Sequence, residues 1–480
     1  MRRIFRCLAA GLLFVLAFAC DKEQPFKPGE TFPPETPPGG TTTTIELPKK
    51  ELRGAWMATV WEIDYPQGAR GEAAQKEKYK QYLDLFERIG INAVFFQVRG
   101  MADVYYESQY EPWSKTLTGT PGQDPGYDLL KFLVDETHAR GIQFHAWINP
   151  YRIATGSNGV FPDLDPMIPK ELVKDYKAIR IYNPALPEVR DRIAAIVKEL
   201  ITKYPVDGLH MDDYFYPSLQ EGESINDEAE FQKYGSAFSK IEDFRRDNIG
   251  KLVQKIQKTI IDTRPEVIFS ISPQGNYDNN YNTQYIDVST CAKNGWFDVL
   301  IPQLYWTGEI FSSRLDWYFA NAYKTHLMVG YGIYRYASGA SDGFGSSASF
   351  NTCYNLASAN KRVTGSLFYN SSALVKNNVG ITDAIQSAFR TKVLFPYLGR
   401  TEEQKPAAPK NLKLSGSTLT WTGNGSYYAI YKLESGGKRA SLSGTARDRS
   451  YTLPAKGTYF VTALSAANAE SELSEKAVYQ

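Results

Sequence analysis

Between residues 51 and about 390, short β-branched and aromatic runs alternate eight times with longer amphipathic stretches, and no other feature restricts the fold of this chain so strongly. The runs fall at 51–60, 91–98, 142–148, 206–212, 267–272, 299–304, 327–332 and 363–369. Helical periodicity fills the intervals at 72–89, 127–140, 187–203, 228–263, 312–323 and 373–390. A strand, a helix and a further strand make a crossover unit, and strands joined in this way run parallel. Gly90 and Gly141 stop the helices ahead of the second and third strands, and Gly208 permits a close approach within the fourth. Such a series predicts an α/β fold, a closed (β/α)₈ TIM barrel over residues 51–400 rather than an open sheet.

The pattern changes from about Pro406. Leu419-Thr-Trp421, Tyr427-Tyr-Ala-Ile-Tyr431, Tyr451-Thr-Leu453 and Tyr459-Phe-Val-Thr-Ala-Leu464 are short alternating strands separated by Gly, Ser and Asn turns, with no helical stretch among them. This order of landmarks, with Asn468 and Glu470-Ser471 behind the last long strand, resembles a fibronectin type III domain. The resemblance implies a small all-β sandwich over residues 406–480, acting as a spacer or docking module, with sugar binding as a further option.

At the other end, Arg2, Arg3 and Arg6 precede an apolar stretch from Leu8 to Ala19. That stretch is too short to span a bilayer as a helix and reads as an export signal over residues 1–20. Ala17-Phe18-Ala19 before Cys20 resembles a lipobox, which implies lipidation of Cys20 as the first residue of the mature chain; ordinary signal cleavage near Ala19 is the alternative. Residues 21–44, rich in Pro, Thr, Gly and Glu, have too little apolar area to fold and form most of an expected disordered linker over 21–50. The expected location is the cell envelope, with the lipid on Cys20 holding the protein to a membrane, most simply the outer membrane facing the periplasm or the cell surface. Cys291 and Cys353 are then the thiols of the folded part, either joined in one disulfide or buried and free.

With 54 Lys+Arg against 53 Asp+Glu, the formal charge is only +1, so no overall field recruits nucleic acid. The four histidines include no His-Glu-x-x-His pair and the thiols do not cluster, which argues against a zinc hydrolase. No phosphate-cradling glycine pattern stands between a strand and a helix, so no cofactor is expected. Gly339-Ala-Ser341-Asp-Gly343 has the spacing of a nucleophile elbow but lies in a Gly/Ser-rich stretch, and reads as a loop over the barrel mouth.

In barrels of this kind the reacting groups stand at the carboxyl ends of the strands, and Asp212-Asp213 ends the fourth. Cleavage of a glycosidic bond needs one carboxylate to face the charge developing at the anomeric carbon and one acid to protonate the departing oxygen. Strand alternation puts His210 and Asp212 on the inward face, making Asp212 the preferred carboxylate. Asp213 either turns to the mouth as its partner or braces a neighbouring strand. A metal or loop-capping role is the competing account of such a pair. Glu62, Asp64, Asp103, Glu107 and Glu309 are further candidates for the second acid.

Around this pair, Asn149, Gln274, Gln303 and Asn370 can donate to and accept from hydroxyls, and Arg99 and Arg152 can hold a carboxylate or orient Asp212. Trp147, Tyr151, Tyr214, Tyr305 and Trp306 offer flat faces to sugar rings. His145 and His210 are either proton-handling groups or hydrogen-bonded core residues.

Leu52-Arg-Gly-Ala-Trp56, Phe96-Gln-Val-Arg99, Tyr110-Glu-Pro-Trp-Ser114, His145-Ala-Trp-Ile-Asn-Pro-Tyr-Arg152, Asp207-Gly-Leu-His-Met-Asp-Asp-Tyr-Phe-Tyr-Pro217 and Pro302-Gln-Leu-Tyr-Trp306, in register, resemble the glycosyl-hydrolase-like family ten. The resemblance extends over about residues 51–400. It implies a barrel related to the alpha-amylase-like hydrolases, with Asp212 at the fourth-strand nucleophile position and Asn149 as a third-strand substrate contact. Gln274 replaces the fifth-strand acid of that pattern, which leaves the proton donor unassigned. The substrate implied is peptidoglycan glycan strands stripped of their peptides; an extracellular polysaccharide, or glycan binding without catalysis by a surface receptor, are the alternatives.

Overall fold

Each of the eight runs forms a strand in the computed structural model, which describes residues 45–400 and 403–480. The signal segment, Cys20 and linker residues 21–44 lie outside the described residues. In chain order the strands begin with β1 (Leu52–Met57), β2 (Ala93–Arg99) and β3 (Gln143–Ile148). An inserted antiparallel sheet follows, made of β4 (Arg152–Thr155), β5 (Val173–Asp175) and β6 (Ile179–Tyr182). The parallel series resumes with β7 (Gly208–Met211), β8 (Ile268–Ile271), β9 (Val299–Leu300), β10 (His326–Gly332) and β11 (Val363–Tyr369). Hydrogen bonding closes the ring in the order β1-β11-β10-β9-β8-β7-β3-β2, every neighbouring pair parallel.

Alternation sorts the side chains of each strand to two sides. Val94, Phe96, Phe144, Leu209, Met211 and Phe269 point outward into the shell packed against the helices. Trp56, Phe95, Trp147, Ile268, Met328 and Leu367 fill the barrel itself. Each such side chain withdrawn from water contributes roughly 1.5–3 kcal/mol. Phe95 stacks on His145 with ring centroids 4.4 Å apart, and His145 pairs in register with Gly208 on the adjacent strand. A Cβ at position 208 would stand 2.1 Å from His145 Nδ1, so the imidazole leaves room there for glycine alone.

The helices Glu72–Ile89 and Pro187–Lys203 lie where the periodicity puts them, the first stopped by left-handed Gly90 (φ 81°) and the second started by its proline. Two long stretches are instead broken. The 228–263 interval divides into Glu228–Tyr234 and Ile241–Thr263, and 373–390 divides into Ser371–Lys376 and Ile381–Ala388 around left-handed Asn377. The helix Ala348–Ser358 is not foreseen by the periodicity, because Asn, Ser and Thr dilute the apolar face of Phe350, Cys353 and Ala357. Cys291 and Cys353 are both buried and free.

Beyond the barrel come β12 (Lys410–Ser415), β13 (Thr418–Thr422), β14 (Tyr427–Leu433), β15 (Ala440–Ala446), β16 (Ser450–Thr452), β17 (Gly457–Leu464) and β18 (Ala477–Tyr479). They form two antiparallel sheets, β12-β13-β16 and β15-β14-β17-β18, around Leu419, Trp421, Tyr428, Ile430 and Val461. This module sits beneath the amino ends of the barrel strands. Gln143, the first residue of β3, donates to Asn468 Oδ1 at 2.8 Å, and Arg400 pairs at 2.6 Å with Asp298, just ahead of β9. Phe395 and Leu398 pack into the barrel's inner cluster, while Leu394 packs with Ala429, Tyr431 and Leu464 of the module. Ile45 and Leu47 join that second cluster and Glu46 bridges to Arg439. The end of the expected linker is therefore packed, because its apolar residues find the module's surface.

Candidate active site

β7 stops at Met211, and Asp212 and Asp213 are the next two residues. Released from strand alternation, both turn into one cavity of about 520 Å³ at the carboxyl ends of the barrel strands. They are the only carboxyls among the described residues that line it.

Asp212 is held by donors. Asn149 Nδ2 lies 2.7 Å from both Oδ1 and Oδ2, and the Tyr214 backbone N–H reaches Oδ1 at 3.2 Å. The side-chain oxygen of Asn149 accepts from Gln97 Nε2 at 2.5 Å and from Arg152 Nη2 at 3.1 Å, which fixes the amide with its NH₂ toward Asp212. Gln97 Oε1 accepts in turn from the backbone N–H groups of Thr59 and Val60, each at 2.9 Å. Two amides in series, Gln97 and Asn149, thus tie the exit of β1 to the carboxylate. From behind, Arg99 forms a fully buried pair with Glu111 at 2.6 Å and donates to the Asn149 carbonyl. Asp213 Oδ1 accepts from Gln303 Nε2 at 2.9 Å.

Burial raises the Asp212 carboxyl above the usual range and the charge of Asp213 raises it further, against Arg152, the Asn149 amide and the Tyr214 N–H. Burial raises Asp213 too, with the Gln303 and Gln274 amides opposing. Two carboxyls so confined retain a proton at a pH where a free aspartate has lost it. Beneath them, Trp56 Nε1 donates to His210 Nε2 at 3.0 Å, so the other ring nitrogen carries the proton and donates to Ser270 Oγ at 2.8 Å. Burial holds this imidazole neutral.

The rim is aromatic. Tyr305 stacks on Tyr369 at 6.0 Å, and Tyr334 stands edge-on to both. The Arg152 guanidinium lies 4.3 Å over Tyr214 and 5.8 Å from the ring centre of Trp61.

Of the residues singled out from sequence, Asp212, Asp213, Trp147, Arg152, Tyr214, Gln303 and Tyr305 line this cavity, and Asn370 joins them. Asn149 stands directly behind Asp212 and is buried. The other candidates do not line this cavity. Asp64 is buried and accepts from the Ala58 N–H at 2.7 Å and from Ser372 N–H and Oγ at 2.7 and 2.6 Å, so it braces the loops after β1 and β11. Arg99 is consumed by Glu111. His145 lies at mid-strand, stacked on Phe95, and Tyr151 is buried in the outer shell. His210 supports the floor through Trp56 and Ser270. Gln274 lines an adjoining space rather than the central one, and the face of Trp306 is covered by the Arg314 guanidinium at 3.5 Å. The alternative acids Glu62, Asp64, Asp103, Glu107 and Glu309 do not line the cavity.

Trp61, Gln97, Ser272, Tyr334 and Tyr369, strand-end residues to which the sequence alone assigns no particular role, line it too, as does Trp56. All except Trp56 stand at or just past the carboxyl end of a strand, and that position is the signal that finds them.

A closed parallel barrel whose open end gathers a carboxyl pair, amides and aromatic rings has the architecture of a glycoside hydrolase. Residues 51–335 match the model of the family described as Glycosyl hydrolase-like 10, and the chain belongs to that family. It is 33% identical over 476 residues to the glycosyl hydrolase YngK of Bacillus subtilis (strain 168), covering 89% of this chain and 93% of that protein. It is 33% identical over 347 residues to the glycosyl hydrolase DigH of Escherichia coli (strain K12), covering 63% of this chain and 79% of that one. Among solved structures, the glycoside hydrolase domain of PgaB (BpsB) from Bordetella bronchiseptica aligns with a TM-score of 0.48 at 13% identity, over 73% of this chain and 100% of that chain. The chain is thus a glycoside hydrolase.

Proposed function

We propose that Asp212 and Asp213 are the catalytic pair and that the bond they cleave lies in peptidoglycan glycan strands freed of their peptides. The observation that carries the assignment is their isolation, since no other described carboxyl lines the central cavity. Every hydrogen-bond partner described above for Asp212 donates, which favours its anion, and Arg152 adds positive charge beside it. The pair shares one proton; with substrate bound, Asp212 faces as the anion the charge that develops at the anomeric carbon, while the shared proton resides on Asp213 and passes to the glycosidic oxygen as the carbon–oxygen bond breaks. Water supplies the hydroxyl of the new reducing end. Trp147, Tyr214 and Tyr305 present ring faces, and Gln303 and Asn370 present amides, to a pyranose held in between.

The substrate reading is supported by the export signal and lipobox-like sequence, which suit an envelope enzyme, and by the family resemblance. On this reading Cys20 carries the lipid and the C-terminal sheets are a fibronectin type III-like spacer. The test incubates purified protein with denuded peptidoglycan and a panel of neutral polysaccharides and counts new reducing ends. Release from denuded strands that disappears in Asp212→Asn supports the proposal. Binding without release from any glycan refutes catalysis, and release from another polysaccharide alone refutes the substrate. Loss of membrane fractionation in Cys20→Ala tests the anchor.

A further inference from the structure

Trp61 sits just past β1 in the left-handed region (φ 52°), followed by Glu62 in the same region (φ 54°), and its side chain is 62% exposed. That conformation is disfavoured for a bulky residue, and exposure recovers nothing through burial. The loop is nonetheless held firmly. Gln97 binds its first N–H groups, and the Glu62 carboxylate accepts from Gly68 N–H and Arg70, each at 2.5 Å. A fold that fixes an indole in water has a use for its face.

The ring borders three connected spaces. One is the central cavity of about 520 Å³; another, of about 390 Å³, shares Arg152, Asp213 and Tyr214 with it. The third is a cleft of about 1090 Å³, roughly twice the central volume, which meets the cavity at Val60 and Trp61. Its walls are the β1 exit loop, the segment carrying Trp113 and Lys115, and the stretch after β4 that includes Leu164 and Ile168. Val160 and Met167, both exposed, belong to that same stretch. An open trough with ring faces and polar edges, continuous with the carboxyl pair, suits a chain of sugars, whose units have apolar faces and hydroxyl rims.

We propose that this cleft binds the portion of a glycan polymer on one side of the scissile bond, with Trp61 as the platform over which the chain passes and Trp113 as a second. With the adjoining space that shares Arg152, Asp213 and Tyr214 left open for the portion on the other side, the enzyme cuts within chains rather than trimming their ends. The inference rests on Asp212 and Asp213 being the catalytic pair.

Cleft-filling variants test it. Lys115 and Asp163 are exposed and line the cleft without lining the central cavity, so Lys115→Trp and Asp163→Trp obstruct it from two walls while sparing the core. Activity is measured on a length series of glycan oligosaccharides and on a short aryl glycoside, with product sizes followed from early times. Wild type is expected to release mid-length fragments first. Each variant should lose roughly ten-fold in kcat/KM on long chains, mainly through KM, and stay within about two-fold on the aryl glycoside. A single smallest product from the outset, or a loss that is equal at all lengths or absent at all lengths, overturns the cleft's role while leaving the catalytic pair standing. A wild-type enzyme that cleaves neither the oligosaccharides nor the aryl glycoside overturns both.

Discussion

A carboxyl whose acidity is weakened by burial prefers its neutral form in the folded chain, so Asp212 and Asp213 set stability against chemistry. In the unfolded chain both titrate near about 3.9. Below that pH their contribution to stability is fully present, and it is lost as pH rises through the raised folded-state values. Asp213→Asn should therefore raise the melting temperature at pH 7–8, by a stabilisation on the order of 1 kcal/mol, with the gain shrinking toward pH 4 in a series of thermal melts. The same variant should lose roughly 10²- to 10⁴-fold in kcat, with a smaller loss on aryl glycosides whose leaving group needs no proton. Asn149→Ala removes a donor that lowers Asp212, so the acidic limb of the pH–rate profile should move to higher pH, with activity lost at pH 6 and partly regained at pH 8. The carboxyl pair is legible in the sequence because a strand's end is where such residues serve chemistry. Depth along a strand is not. His145 and Trp147 share a face of β3, yet two residues of rise separate a ring packed in the barrel from one that lines the mouth.

Single elements carry the positioning work. The Arg99–Glu111 pair at the end of β2 has both side chains essentially withdrawn from solvent and grips the Asn149 carbonyl, so the loop after β3 inherits its place from β2. Arg99→Met leaves Glu111 buried and unpaired, and should cost about 3–5 kcal/mol in urea denaturation. Arg99→Met with Glu111→Leu should regain much of that stability but little of the activity, because the Asn149 carbonyl stays unanchored. The eight barrel strands are legible because buried parallel strands must be rich in β-branched and aromatic residues. The inserted sheet is not, since β4, β5 and β6 have only three or four residues each and mix buried, half-buried and exposed positions, giving no alternation to detect. Helix breaks at Gly235 and Asn377 were equally hidden, for the apolar spacing runs on across them.

In the whole molecule, the C-terminal module and the 391–400 segment close one end of the barrel and the carboxyl pair occupies the other. A chain ending at Arg400 should melt at lower temperature and aggregate, since Leu394 and the Gln143 amide lose their cover. Its surviving folded fraction should keep kcat within about two-fold, as scaffold distant from the reacting atoms. A fall in kcat without a fall in melting temperature would sink this division of labour. Ile45 enters alongside the module, under the barrel. A tether ahead of that point would grip the enzyme by its base, leaving the working end aimed away from the supporting surface. A long, stiff strand could then lie across the top without having to squeeze between protein and membrane.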